Sequence, residues 1–227
     1  MAFSNCKFDK MKTAEVKKLS FNSLVPSLDE ISVALDKQAE KHNIDIINWK
    51  EFEYKPEVKF SIAYGEKELY LKYFVEEDCF KAEKTKTNEM VCEDSCVEFF
   101  VSPENDGIYY NFEFNGIGVI LLGTGTGRAD SKRANSEIIS KIRRQSSVGV
   151  NPVKEKAGRF EWNITIAIPY EVFFHHKVDN LQNKTFRANF YKCGDMLSMP
   201  HYVTWNPVGT ANPDYHQPEY FGILKFV

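Results

Sequence analysis

Apolar side chains recur at every second position through much of this chain, and that period limits what it can fold into more than any other feature. Val58, Phe60, Ile62 and Tyr64 form one such set. After Gly65-Glu-Lys, Leu69, Leu71 and Tyr73 form another, with Tyr70, Lys72 and Phe74 between them. A strand turns successive side chains to opposite faces, so these two runs read as a hairpin. The same rule puts Val97, Phe99 and Val101 on one face of a strand and Glu98 on the other. It sets Phe112 and Phe114 against Asn111, Glu113 and Asn115, and Phe186, Ala188 and Phe190 against Arg187, Asn189 and Tyr191. Phe160, Trp162, Ile164, Ile166 and Ile168 share one side of a further strand, and Gly116 to Leu122 reads as another.

Helical signals are few. Ser27-Leu-Asp-Glu30 has the form of a capping box and predicts a helix from about Leu28 to His42, with Ile31, Leu35 and Ala39 as a narrow apolar stripe. Ala134 to Arg144 reads as a short basic helix, and Pro169 opens a single helical turn through Phe174. Residues 1 to about 25 read as an arm or an edge strand, and the charged residues 76 to 90 as an exposed excursion. The expected fold is therefore all-β, an antiparallel β-sandwich of immunoglobulin or jelly-roll type with a short N-terminal helix. Its organisation is read as an N-terminal arm and surface helix over residues 1–44 and a sandwich over residues 45–227, one structural domain overall.

A formal charge of −3 gives no basic surface for nucleic acid, so that partner is not expected. No run of about 18 apolar residues suggests a membrane span. Met-Ala-Phe-Ser-Asn-Cys-Lys lacks the apolar core of a secretory signal. A cytoplasmic location is expected if this N-terminus is native, and a secreted or periplasmic one if a leader was removed. Five cysteines leave at least one unpaired. Cys92 and Cys96 would lie roughly 13 Å apart if extended, too far to bridge, so reduced thiols are expected.

The polar strand faces carry the functional signal. Glu98, Asn111, Glu113, Arg187 and Asn189 would form a platform of acids, amides and a guanidinium if their strands are neighbours. Trp205, ending His201-Tyr-Val-Thr-Trp before Asn206-Pro207, would stand at the margin of that platform. Polar groups for hydroxyls beside an aromatic plane is the chemistry of sugar recognition. A solvated outer face, with Trp205 as a core filler, gives the same pattern. Gly123-Thr-Gly-Thr-Gly127 lacks the lysine of a phosphate loop and reads as a flexible turn. Asp214, His216 and Glu219 lie close together but match no standard zinc spacing. His175-His176 reads as a solvated pair, and Pro103-Glu-Asn-Asp106 is rich enough in oxygen to suit calcium.

Together, Asn48-Trp49, Pro56-Glu-Val-Lys-Phe60, Glu93-Asp-Ser-Cys-Val-Glu-Phe-Phe100, Tyr110-Asn-Phe-Glu-Phe114, Gly123-Thr-Gly125 and Trp205-Asn-Pro207 through Tyr220-Phe-Gly222 resemble the family 9 carbohydrate-binding modules. The likeness is to the stand-alone form common in gut bacteria, over roughly residues 45 to 227. It implies a β-sandwich that holds the end of a mono- or oligosaccharide by aromatic stacking and a polar sheet face, often with structural calcium. It implies that Trp205 is one of two stacking tryptophans and that Glu98 is a binding glutamate. The place of the other tryptophan holds Met90-Val91, so Tyr109 or Trp49 would have to supply that wall. The place of a binding arginine holds Glu113. Two alternatives remain at this point. One is glycoside processing by Glu98 and Glu113, with one carboxyl pKa raised if they are adjacent. The other is an interaction domain that has lost its sugar.

Overall fold

The structure is a computed structural model and describes residues 11–104 and 106–227. Among these, the strands in chain order are β1 (Thr13–Lys18), β2 (His42–Asn43), β3 (Ile46–Ile47), β4 (Glu57–Tyr64), β5 (Glu68–Ala82), β6 (Cys96–Ser102) and β7 (Tyr109–Asn115). They continue as β8 (Ile120–Gly125), β9 (Lys132–Arg133), β10 (Arg143–Ser146), β11 (Val153–Pro169), β12 (Thr185–Cys193), β13 (Tyr202–Thr204) and β14 (Gly222–Phe226). Two layers face each other. One runs β10-β11-β5-β4, with β2 on β4; the other runs β14-β12-β6-β7-β8-β9, with β13 on β12 and β3 on β13. The expected β-sandwich is the observed fold.

Pairing is antiparallel except at one corner. There β1 lies parallel to β14 through Thr13–Val16 and parallel to β4 through Lys17 and Lys18. Of the segment read as an arm or edge strand, residues 1–10 lie outside the described residues, while Thr13–Lys18 pairs with both layers and joins them into one curled, mixed sheet.

Period-two patterning fills the space between the layers. Phe60 stacks on Phe190 with ring centres 3.6 Å apart, and Phe99 stacks on Phe190 at 5.0 Å. Val58, Ile62, Leu69, Leu71, Phe112, Ile164 and Ile166 complete the same buried cluster.

Two stretches depart from the sequence-based expectation. Residues 76–82 are not an excursion: β5 continues to Ala82 along β11, burying Cys79 and Phe80. Their charged letters conceal a buried ion pair, Glu77 with Lys192 at 2.8 Å, whose other carboxylate oxygen accepts the Trp162 indole N–H at 2.7 Å. The N-terminal helix α1 (Leu28–Gln38) has its capping box, Glu30 N–H donating to Ser27 Oγ at 3.2 Å, but stops before His42, which enters β2. Ile31, Ala34 and Leu35 seat it on Tyr70 and Ala167, on the outer side of the first layer. The second helix, α2 (Ser136–Ser140), spans five residues, because Arg143 begins β10 and ion-pairs with Glu68 at 2.7 Å. No described helix is long and apolar enough to cross a membrane.

Candidate binding site

The outer face of the second layer is roofed by the chain rather than bare. Segments near Trp49 and residues 206–221 fold over it and bury a second aromatic cluster that includes Phe100, Tyr109, Tyr191 and Tyr215. Tyr191 and Tyr215 stack at 4.0 Å, Tyr215 Oη donates to Lys192 O at 3.1 Å, and the Trp49 indole donates to Thr210 O at 2.9 Å. Beside this roof the face opens into a hollow of about 430 Å³.

Its floor is charged because of strand register. Glu98 on β6 sits directly opposite Glu113 on β7, and both are buried. Burial, then the neighbouring Glu113 carboxylate, raises Glu98 well above the ordinary carboxyl range. Burial pushes Glu113 up to about 7, against the stabilising N–H that Asn111 donates to its Oε1 at 2.8 Å. Asp195, in the turn after β12, is pushed up to about 6 by burial. Arg128 and Arg133 face these acids from the β8–β9 hairpin. Arg128 donates through Nε and Nη2 to Asp214 Oδ1 at 3.1 and 2.9 Å, which fixes its guanidinium at the rim. The glycine run does form a turn: the Asp130 carboxylate accepts the N–H groups of Thr126 and Gly127, and Arg128 projects from it. Apolar surface comes from Phe100, Tyr202, Tyr215 and Met90, while burial holds His216 down at about 4, hence neutral.

Of the side chains singled out in the sequence, Glu98 and Glu113 meet in this hollow. Asn111 lies fully buried beside Glu113, and Tyr109 lies behind the lining, stacked on Phe100 and hydrogen-bonded to His216 Nδ1 at 2.7 Å. Asn189 is fully buried and braces the chain after β13, its Oδ1 accepting Asn206 N–H at 2.8 Å. Arg187 is spent on the backbone carbonyls of Phe221 and Gly222. Neither Asn189 nor Arg187 lines the hollow.

The placement of Trp205 corrects the sequence reading. It is 2 % exposed and sits between the layers, edge-on to Phe60 at 5.6 Å and Phe190 at 5.4 Å. Alternation through β13 explains this, since Val203 and Trp205 turn inward and Tyr202 turns out to the hollow. Trp49 is 3 % exposed and is no wall either. Met90, at the place the resemblance gives to a stacking tryptophan, does stand at the rim, 46 % exposed.

Of the Asp214, His216 and Glu219 group, the first two line the hollow. His176 is not solvated: its side chain is 1 % exposed, between Tyr110 Oη at 3.0 Å and Asp106 Oδ2 at 3.2 Å. Glu104, Asp106 and His176 converge there, but both Asp106 oxygens are already engaged and an imidazole is a poor calcium ligand. That donor set does not fit the expected calcium.

A β-sandwich whose outer face carries a roofed, polar hollow is the architecture of a small-ligand binding module. The pattern of carbohydrate-binding family 9 matches residues 29–226, and the chain belongs to that family. A Bacteroides uniformis protein, provisionally described as carbohydrate-binding, is 39 % identical and superposes with a TM-score of 0.91 over 96 % of this chain and 100 % of its own. A family 9 module from Caldicellulosiruptor kristjanssonii, solved with glucose, shares the fold at a TM-score of 0.59 and 12 % identity, over 95 % of this chain and 96 % of its own. The same organism's module solved with cellotriose gives 0.56 and 13 %, over 95 % and 93 % of the two chains. No curated protein matches the chain.

Proposed function

We propose that this chain binds the end of a sugar or glycan in the hollow between Glu98, Glu113 and the two arginines of the β8–β9 hairpin. One observation carries the reading: acids and guanidinium groups from separate elements converge in an open hollow of about 430 Å³, a size typical of small-molecule sites. The carboxyl groups exchange hydrogen bonds with vicinal hydroxyls, and arginines donate to ring and hydroxyl oxygens. Tyr202 and Met90 supply the apolar surface for a pyranose C–H face, in the part first assigned to Trp205. The glucose and cellotriose complexes of the Caldicellulosiruptor modules make those two sugars the first probes.

Calorimetric titration with a panel of mono- and oligosaccharides tests this. Saturable binding that weakens at least about tenfold in Arg128→Ala and in Glu113→Gln is expected, the scale of one lost charge-assisted hydrogen bond. Silence across neutral and charged sugars would overturn the reading and favour an interaction domain.

Glycoside processing is the second reading, favoured by the raised proton affinity of Glu98 and Glu113. Against it, Glu98 and Glu113 are register partners on one face of the sheet and project from one side, whereas cleavage needs carboxyls flanking the scissile bond. Product analysis of the titration mixtures separates the two.

A further inference from the structure

Sulfur surrounds the inner end of the carboxylate floor. Cys96 on β6 and Cys193 on β12 are directly opposed in register, and Glu98 follows two residues after Cys96 on the same face. The Cys193 thiol donates to Glu98 Oε1 at 3.1 Å, and Cys96 Sγ lies 4.0 Å from that oxygen. All three donor atoms lie within 4.8 Å of one another. Zinc–sulfur bonds of about 2.3 Å and zinc–oxygen bonds of about 2.1 Å give tetrahedral edges of roughly 3.8 Å for S···S and 3.6 Å for S···O. The two observed S···O spacings bracket the S···O edge, and the S···S spacing is at most 4.8 Å, so small rotamer adjustments close a metal face. On the side toward the hollow stand Cys92 and Asp195, and Asp195 has a buried Oδ1 without a hydrogen-bond partner.

We infer that Cys96, Cys193 and Glu98 form a tetrahedral site for a zinc-type divalent cation at the base of the hollow, with the fourth position directed toward Asp195, Cys92 and the open space. Two thiolates and one carboxylate select a borderline-soft cation and reject calcium and magnesium, which take oxygen. Three protein ligands with a fourth position facing a cavity is the pattern of a zinc site that keeps an exchangeable ligand. Loading balances by proton release: the cation displaces one proton from each thiol, and a third when Glu98 is protonated.

The test uses the full chain, reduced, stripped with chelator and free of sugar, so its outcome is independent of the carbohydrate reading. Zinc is titrated calorimetrically in two buffers of different ionisation enthalpy, and cobalt(II) spectrophotometrically. Expected are one equivalent bound, a buffer dependence that reports about two to three protons released, and a thiolate-to-cobalt charge-transfer band. Cys193→Ser and Cys96→Ser should each lose the band and weaken zinc by at least about 100-fold. Cys79→Ser, altering a thiol that pairs with Glu155 elsewhere, and His176→Ala, altering the other donor cluster, should leave both unchanged. A wild-type chain that binds no zinc, or binds it without a charge-transfer band, overturns the site. So does a zinc affinity that survives Cys193→Ser and falls in His176→Ala.

Discussion

Replacing Trp205 separates a stacking wall from a core residue. The side chain is 2 % exposed and wedged between Phe60, Phe190 and His42. A buried tryptophan withdraws roughly 200 Å² from water, worth about 5 kcal/mol at ~25 cal/mol per Å². Partial collapse of the space left by Trp205→Ala brings the expected cost to about 4 kcal/mol. With an unfolding entropy of about 0.5 kcal/mol/K for 227 residues, the melting temperature should fall by about 8 °C. Trp205→Phe keeps most of the packing and should cost roughly half as much, which provides a folded variant if the alanine form is too unstable. Urea unfolding followed by far-ultraviolet circular dichroism measures the loss, and titration with a bound sugar measures affinity. The account expects stability to drop while affinity stays within about twofold. Unchanged stability with lost affinity would refute it, because only an indole in contact with the ligand behaves that way.

Other expectations follow from the same geometry. Glu113, raised from 4.5 to about 7, binds more protons folded than unfolded in that window, so its ionisation costs stability as pH rises through it. Between pH 5 and pH 8 that contribution falls by roughly 2–3 kcal/mol. Glu113→Gln should therefore gain about that much on the wild type over the interval, read from urea midpoints in chelator; a constant difference would show that the carboxyl is not held protonated. Lys192→Met strands the Glu77 charge in the interior and should cost about 3–5 kcal/mol, with much of the loss recovered when Glu77→Gln is added. Additive losses in that pair would deny the buried ion pair. Gly222→Ala should destabilise the β14 corner, since a Cβ there would collide with Asn206 Nδ2 and lie 2.7 Å from Lys12 O and 2.8 Å from the Trp205 ring; an unchanged melting temperature would mean those contacts are looser than described.

What was legible in the sequence was whatever obeys a local period. Val58 to Tyr64, Val97 to Val101 and Phe186 to Phe190 alternate without interruption, so their inner faces, and with them the sandwich and the outward aim of Glu98 and Glu113, could be read directly. Trp205 was misplaced because Asn206-Pro207 suggested a rim; alternation carried from Val203 through β13 would have sent the indole inward and picked out Tyr202. The end of β5 was hidden because Glu77 is buried by a partner 115 positions away, Lys192, which no local pattern announces. Arg128 and Asp195 were missed for the same reason, and His216 was weighed only for a metal. They lie on loops that meet only when the sheet curls, as the Arg128–Asp214 pair across 86 positions illustrates.

Locating a bound sugar tests the central claim most directly. In an amide-shift titration with the tightest ligand of the panel, the largest changes should fall on Phe100, Arg128, Asp195, Tyr202 and His216, with the Trp162 indole N–H unmoved. Shifts centred instead on the β1–β2 surface near Lys12 and Asp45, with the hollow residues silent, would contradict the account.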